Sequence, residues 1–128
     1  MSRFMTKLEV ELVDDTENDG RGCWRLKNPL SYESDVAGKI ITVPEGFCTD
    51  FASVPRIPVA YWLTGDTAHE AAVVHDFLYS TGELPRAKAD DVLMEAMTVT
   101  GIPAWRRYAM YWAVRAFGGS HFAATYAT

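Results

Sequence analysis

Four polar residues in the second half of the chain have the types and the spacing of a general-base site. His75, Asp76 and Tyr79 lie within one short segment, and Asp90 follows in the next. A carboxylate that faces an imidazole fixes its tautomer and raises its basicity, and such a pair is the orienting half of a hydrolytic site. If the chain is an enzyme, we expect His75 to be the base, oriented by Asp90. Asp76 is then a candidate metal or water ligand.

Three helices are predicted to position these residues, over 67–80, 86–100 and 103–117. Pro85 and Pro103 stand at or just before the first turn of the second and third helices, where a proline is tolerated. Glycines follow each helix and are typical stop signals.

The first two helices are expected to form an antiparallel hairpin. On a helical wheel of about 100° per residue, His75 and Tyr79 share a face with several alanines, so the second helix can approach closely. A short turn between the helices then brings His75 level with Asp90 and Asp91. Asp90 lies at the edge of the inner face, whereas Asp91 points further outward.

The first half of the chain is predicted to form a small antiparallel sheet within residues 7–44. Apolar and acidic residues alternate from Leu8 to Leu12, and short strands are predicted at 23–26 and 39–43. The fold class is therefore α+β, a small sheet followed by three helices. The length of 128 residues predicts a single domain over 1–128.

An irregular apolar loop is predicted over residues 45–58. It is too apolar for a solvated linker, so we expect it to pack on the scaffold, where loops often contribute to function. Arg56 in this loop is a candidate partner for Asp50, Asp76 or Asp90, with a solvated side chain as the alternative.

Composition excludes some functions and compartments. The formal net charge of −5 disfavours nucleic acid as the main partner. No apolar run is long enough for a membrane span, and the first residues lack the apolar core of a secretory signal, so synthesis and folding in a reducing cytoplasm are expected. Cys23 and Cys48 lack metal-site spacing. We expect two ordinary buried thiols, with a single bridge between them as the alternative.

The predicted third helix contains more aromatic residues than one core-facing side requires. They are Trp105, Tyr108, Tyr111, Trp112 and Phe117. A helix that is aromatic on nearly all sides needs a second surface, either a partner subunit or a membrane interface. Its arginines, among them Arg115, are expected to contact lipid headgroups or a partner's carboxylates. The sequence thus leaves open an oligomer formed through this helix and the tail at 118–128.

Four strings of the chain resemble a known family. They are Gly-Phe-Cys-Thr-Asp-Phe-Ala-Ser-Val-Pro-Arg at 46–56, Ala-Ala-Val-Val-His-Asp-Phe-Leu-Tyr at 71–79, Ala-Asp at 89–90 and Ala-Val-Arg-Ala-Phe-Gly at 113–118. The family is found mainly in bacteriophage and prophage genomes and is catalogued as a domain of unknown function (DUF1353-like). The resemblance covers roughly residues 20–119 and implies a viral origin. Other phage proteins or the host envelope are then the expected partners.

The His-Asp-x-x-Tyr pattern, with an aspartate on the next helix, is also similar to phospholipase A2 domains. That resemblance implies that His75 activates water, that Asp76 binds calcium, and that Tyr79 and Asp90 hold His75 in place. The glycine-rich calcium loop of those enzymes is absent. Either Asp50 or the backbone carbonyls of residues 46–49 would then replace that loop.

The His-Asp doublet is shared with metal-dependent phosphohydrolases of the HD type. Those domains need a further upstream histidine. His69 lies about 240° around the predicted helix from His75, so the two cannot bind one metal ion.

Two functions from different classes remain. The first is a hydrolase of phage tail, entry or lysis that uses His75 with Asp90, and Asp76 with a divalent cation such as calcium or zinc. The second is a non-enzymatic structural or adaptor component of the virion, in which the polar cluster is a core network.

Overall fold

The computed structural model describes residues 2–13, 23–49, 68–117 and 119. Strands occupy the first half of the chain and helices the second. The strands are β1 (Arg3–Phe4), β2 (Val10–Val13), β3 (Cys23–Leu26), β4 (Leu30–Ser34), β5 (Lys39–Val43) and β6 (Cys48–Thr49). The helices are α1 (Ala68–Thr81), α2 (Arg86–Val99) and α3 (Ala104–Phe117). The predicted α+β class is confirmed.

The strands form two antiparallel three-stranded sheets rather than one. Their orders are β1-β4-β5 and β2-β3-β6. The sequence analysis assigned no strand to β4, although its buried positions alternate with half-buried ones, since Leu30, Tyr32 and Ser34 face the core. This period-two pattern is the signal of a strand with one face on the core.

Helix α1 lies between strands of both sheets and a second helix. It packs on β5 and β6, and also on α2, which in turn packs on β4 and α3. All five consecutive residues from Ala71 to His75 are therefore buried, as in a helix that has neighbours on several sides. The alanines and valines of this run all belong to the hydrophobic core.

The first two helices are each followed by a position with a positive φ, and a glycine occupies both positions. Gly82 has φ of 64° and donates its N–H to the Leu78 carbonyl at 3.0 Å, and Gly101 has φ of 83°. Residues with a Cβ rarely adopt this left-handed conformation. The short connection from Gly82 to Pro85 makes α1 and α2 the antiparallel hairpin that was expected.

A carboxylate on α2 ties the helices to the first sheet. Glu95 accepts hydrogen bonds from the Tyr32 hydroxyl at 2.8 Å, the Ser34 hydroxyl at 2.7 Å and the Val36 backbone N–H at 3.0 Å. Burial raises the pKa of Glu95, but these bonds and one from Ser2 outweigh it, so its pKa lies below the usual value. The sequence analysis did not identify this contact.

The expectation of two ordinary buried thiols is wrong for Cys48. Its side chain is exposed and disulfide-bonded. The physical reason is strand pairing, because β6 lies antiparallel to β3, the strand that contains the other cysteine of the chain.

Several predicted features lie outside the described residues. They are Asp50, Arg56, most of the apolar loop at 45–58, the His69 side chain and most of the tail at 118–128. Within the part of the chain that is described, no helix is both long and apolar enough to cross a bilayer.

The Glu95 contact generates a stability prediction. Glu95→Gln replaces one acceptor oxygen by a donor amide, so the unfolding free energy should fall by about 1–3 kcal/mol. Urea denaturation at neutral pH measures it. Glu83→Gln is the control, since Glu83 is exposed and lies 3.6 Å from Lys39, and should stay within about 0.5 kcal/mol of the wild type. Equal stability of the two variants would contradict the prediction.

Candidate functional site

The α1–α2 hairpin brings His75 and Asp90 into direct contact. The His75 Nε2 atom lies 2.7 Å from Asp90 Oδ1, and both side chains have no exposed surface. The predicted proximity of these two residues is confirmed. Because Nε2 faces a carboxylate oxygen, Asp90 favours the tautomer with a proton on that nitrogen.

Tyr79 completes the first half of the cluster. Its hydroxyl donates to the same Asp90 Oδ1 atom at 2.5 Å, and its ring centroid lies 4.2 Å from that of His75. Tyr79 is one helical turn after His75, so both side chains point from the same face of α1. One carboxylate oxygen therefore holds two side chains in fixed positions.

Arg115, on α3, occupies the second oxygen of the Asp90 carboxylate. Its Nη1 atom lies 2.9 Å from Asp90 Oδ2, and its side chain is 32% exposed. The sequence analysis expected Arg115 to face lipid or a partner protein. It contacts Asp90 instead, because α3 packs against α2 at this level.

Arg86 is a member of the cluster that sequence analysis missed. Its Nε atom donates to the Tyr79 hydroxyl at 3.2 Å, and its Nη2 atom donates to the carbonyls of Val114 and Arg115, each at 2.8 Å. A cation at carbonyls near a helix C-terminus interacts favourably with the helix dipole. The only signal in the sequence is an arginine directly after Pro85, which gives no indication of its partner.

We call these five residues the Asp90 network: His75, Tyr79, Arg86, Asp90 and Arg115. Burial raises the pKa of Asp90, but hydrogen bonds from His75, Tyr79 and Arg115 outweigh it and place its pKa below the usual value. Burial and the Asp90 carboxylate raise the pKa of Tyr79, so its hydroxyl stays protonated and remains a donor. The bond to Asp90 also raises the pKa of Arg115.

The two neighbouring aspartates have other environments. Asp76 is half-buried, and its backbone carbonyl accepts a hydrogen bond from the Ser80 hydroxyl at 2.9 Å. Asp91 is exposed, as predicted, and accepts from the Tyr111 hydroxyl at 3.2 Å. Among the described residues no three His, Cys, Asp or Glu side chains cluster closely enough to hold a metal ion. This part of the chain thus offers no complete calcium or zinc centre for Asp76.

The Asp90 network is suited to two kinds of task. An imidazole held at Nε2 by a carboxylate is the arrangement that orients a general base. A carboxylate with donors from α1 and α3 also fixes the positions of three helices, because removing any partner leaves a buried polar group unpaired. The complete burial of His75 favours the second task, since a general base must reach its substrate.

Removing the charge of Asp90 should destabilise the fold. In Asp90→Asn one acceptor oxygen becomes an amide, and Arg115 loses its counter-charge, so the unfolding free energy should fall by about 2–4 kcal/mol. Asp91→Asn is the matched control on the adjacent exposed position and should change stability by less than about 0.5 kcal/mol. Chemical denaturation measures both. A loss no larger than that of the control would show that the network does not stabilise the helices.

The lowered pKa of Asp90 also predicts an acid-sensitive stability. Since the folded-state pKa lies below the unfolded one, the unfolded chain binds more protons in acid, and stability is lost as the pH falls from about 5 to about 2. Melting temperatures across this range should fall more steeply for the wild type than for Asp90→Asn. The melting temperature of Asp90→Asn should still fall in acid, because the pKa of Glu95 is shifted in the same direction. Identical slopes would contradict the assignment.

Comparisons with known proteins identify a family but no activity. The profile described as "Protein of unknown function (DUF1353)" matches residues 24–114. The chain is also 30% identical over 105 residues to "Uncharacterized protein y4jT" of Sinorhizobium fredii (strain NBRC 101917 / NGR234). That alignment covers 78% of this chain and 30% of the relative, so the chain spans less than a third of the relative's length. No solved structure matches. On the extent of the profile match, the chain belongs to the DUF1353 family.

Proposed function

We propose that this protein is a non-enzymatic structural or adaptor component of a bacteriophage or prophage particle, and that it binds its partner through α3. The observation that carries the proposal is the outer side of α3, where Trp105, Tyr108 and Trp112 are 67%, 55% and 64% exposed. Clustered exposed aromatic residues are typical of protein-binding surfaces.

The Asp90 network supports a scaffold role. Asp90 has no exposed surface, and it accepts from His75, Tyr79 and Arg115 on two other helices. A fully bonded buried carboxylate gives one defined arrangement of the helices. An assembly component needs such a fixed arrangement, since its contact surface must be preformed.

The phage assignment is supported by the specific strings at 46–56 and 71–79. The relative from Sinorhizobium fredii is a bacterial protein of greater length, in keeping with a module that occurs in more than one protein context.

Particle association tests this function. A tagged chain is expressed in the bacterium that carries the gene, particle production is induced, and gradient-purified particles are immunoblotted. The wild type should sediment with the particles, whereas Tyr108→Glu, which places a charge in the aromatic surface, should be lost from them at unchanged cellular level. Met5→Glu is the matched control, since Met5 is an exposed apolar residue away from α3, at 45%. Particles without the wild-type chain would overturn the proposal.

A hydrolase is the second candidate, favoured by the geometry of His75. Its Nε2 atom is bonded to Asp90 at 2.7 Å, and Tyr79 donates to the same carboxylate oxygen. This is how an imidazole general base is oriented, and the target would be an ester or amide in the host envelope. Substrate would then have to reach an imidazole that is buried in the resting protein.

Product release separates this candidate from the first. Purified chain is incubated with phospholipid vesicles and with peptidoglycan, with and without calcium or zinc. A hydrolase should release fatty acid or peptide fragments. His75→Gln, which can still donate to Asp90, should lower the rate by about 100-fold or more at nearly unchanged melting temperature. No release under any condition, or equal release by His75→Gln, would exclude His75 as the base.

A further inference from the structure

Five of the exposed residues of α3 lie on one side of the helix. They are Trp105, Tyr108, Ala109, Trp112 and Ala116. At about 100° per residue they fall within an arc of about 100°. The opposite side carries Met110 and Val114, which are buried in the core. Helix α3 therefore has two apolar sides, of which only one is covered by this chain in the described residues. We call the five exposed residues the α3 outer surface.

The α3 outer surface contains no charged residue, although the helix has three arginines. Arg115 bonds to Asp90, and Arg107 donates to the Ile102 carbonyl at 2.7 Å, so both are directed back toward the chain. Arg106 is half-buried and lies on the inner half of the helical wheel. A surface without charge does not suit nucleic acid or an anionic membrane, both of which select basic groups. It suits an apolar protein surface of similar composition.

Four of the five residues of the α3 outer surface are spaced symmetrically about one point on the helix. Trp105 and Trp112 lie at equal distances from the point between Tyr108 and Ala109. If two copies of α3 cross antiparallel about a two-fold axis at that point, each Trp105 faces the partner's Trp112. Each Tyr108 then faces the partner's Ala109, so a large side chain meets a small one. A self-complementary surface of this kind is what a two-fold dimer requires.

From this symmetry we infer that the partner of the α3 outer surface is a second copy of this chain, bound through antiparallel pairing of α3. The inference rests on the proposed function, in which α3 is the contact surface, and specifies the occupant. The antiparallel pair places four tryptophans and two tyrosines at one contact, where offset or edge-to-face aromatic packing is available.

The available area indicates a modest affinity. With about 150–250 Å² for a large aromatic side chain, the exposed parts of Trp105, Tyr108 and Trp112 amount to roughly 300–450 Å². A standard interface buries about 800 Å² on each partner. The three rings thus supply about half of that area, and the alanines and flanking residues add to it. A dimer that forms at micromolar rather than nanomolar concentration is expected.

Charge complementation at the two-fold axis tests both the dimer and its register. Sedimentation equilibrium over a micromolar to submillimolar range should give twice the chain mass for the wild type. Tyr108→Glu and Ala109→Lys each place two like charges at the axis, so each variant alone should raise the dissociation constant by about 30-fold or more. An equal mixture of the two should dimerise again, because the glutamate of one copy then faces the lysine of the other beside one unchanged Tyr108–Ala109 contact.

Control variants separate misfolding from loss of contact. Both substituted positions are exposed, so circular dichroism and melting temperatures should match the wild type, and Met5→Glu should remain dimeric. A wild-type monomer at every concentration would overturn the dimer, and so would a mixture that stays monomeric. If the chain is a monomer and still sediments with particles in a manner that depends on Tyr108, the proposed function stands. The partner of the α3 outer surface is then another protein. A dimer that is absent from particles would support the pairing of α3 and overturn the proposed function.

Discussion

The arrangement of the three helices depends on one buried carboxylate, whose charge must be compensated by hydrogen-bond donors. Asp90 has no contact with solvent, so its charge is tolerated only while His75, Tyr79 and Arg115 donate to it. Those donors come from α1 and α3, whereas Asp90 belongs to α2. Apolar contacts are less directional than hydrogen bonds, so they fix the register of these helices less strictly. The hydrogen bonds permit only one arrangement, because a shift leaves a buried polar atom unpaired.

Helix α2 carries a second carboxylate of this kind, directed to another neighbour. Glu95 lies five residues after Asp90, about 140° further around the helix, and accepts from Tyr32, Ser34 and the Val36 backbone in the first sheet. Asp90 therefore fixes α2 against helices, and Glu95 fixes it against strands. Since both carboxyl groups have lowered pKa values, the two halves of the fold should loosen together in acid.

Sequence reasoning succeeded where a local pattern determined the geometry. The contact between His75 and Asp90 followed from helical periodicity and a short turn, which together fix the register of a hairpin. Arg86 and Arg115 could not be placed in the network, because their positions depend on how α3 crosses α2, and no local pattern encodes that crossing. Glu95 was missed for the same reason, since its partners are on β4 and just beyond it. The state of Cys48 likewise depends on the long-range pairing of β6 with β3.

The core network and the exposed surface of α3 are two consequences of one orientation. Arg115 is bonded to Asp90, and the carbonyls of Val114 and Arg115 accept from Arg86, so the last turns of α3 cannot rotate independently of α2. A rotation of α3 by half a turn would direct Trp112 toward the core and Val114 toward solvent. The polar contacts exclude it, since they exist in only one orientation. The buried charges therefore determine which side of α3 faces outward, and a partner meets a surface whose orientation is set from inside the molecule.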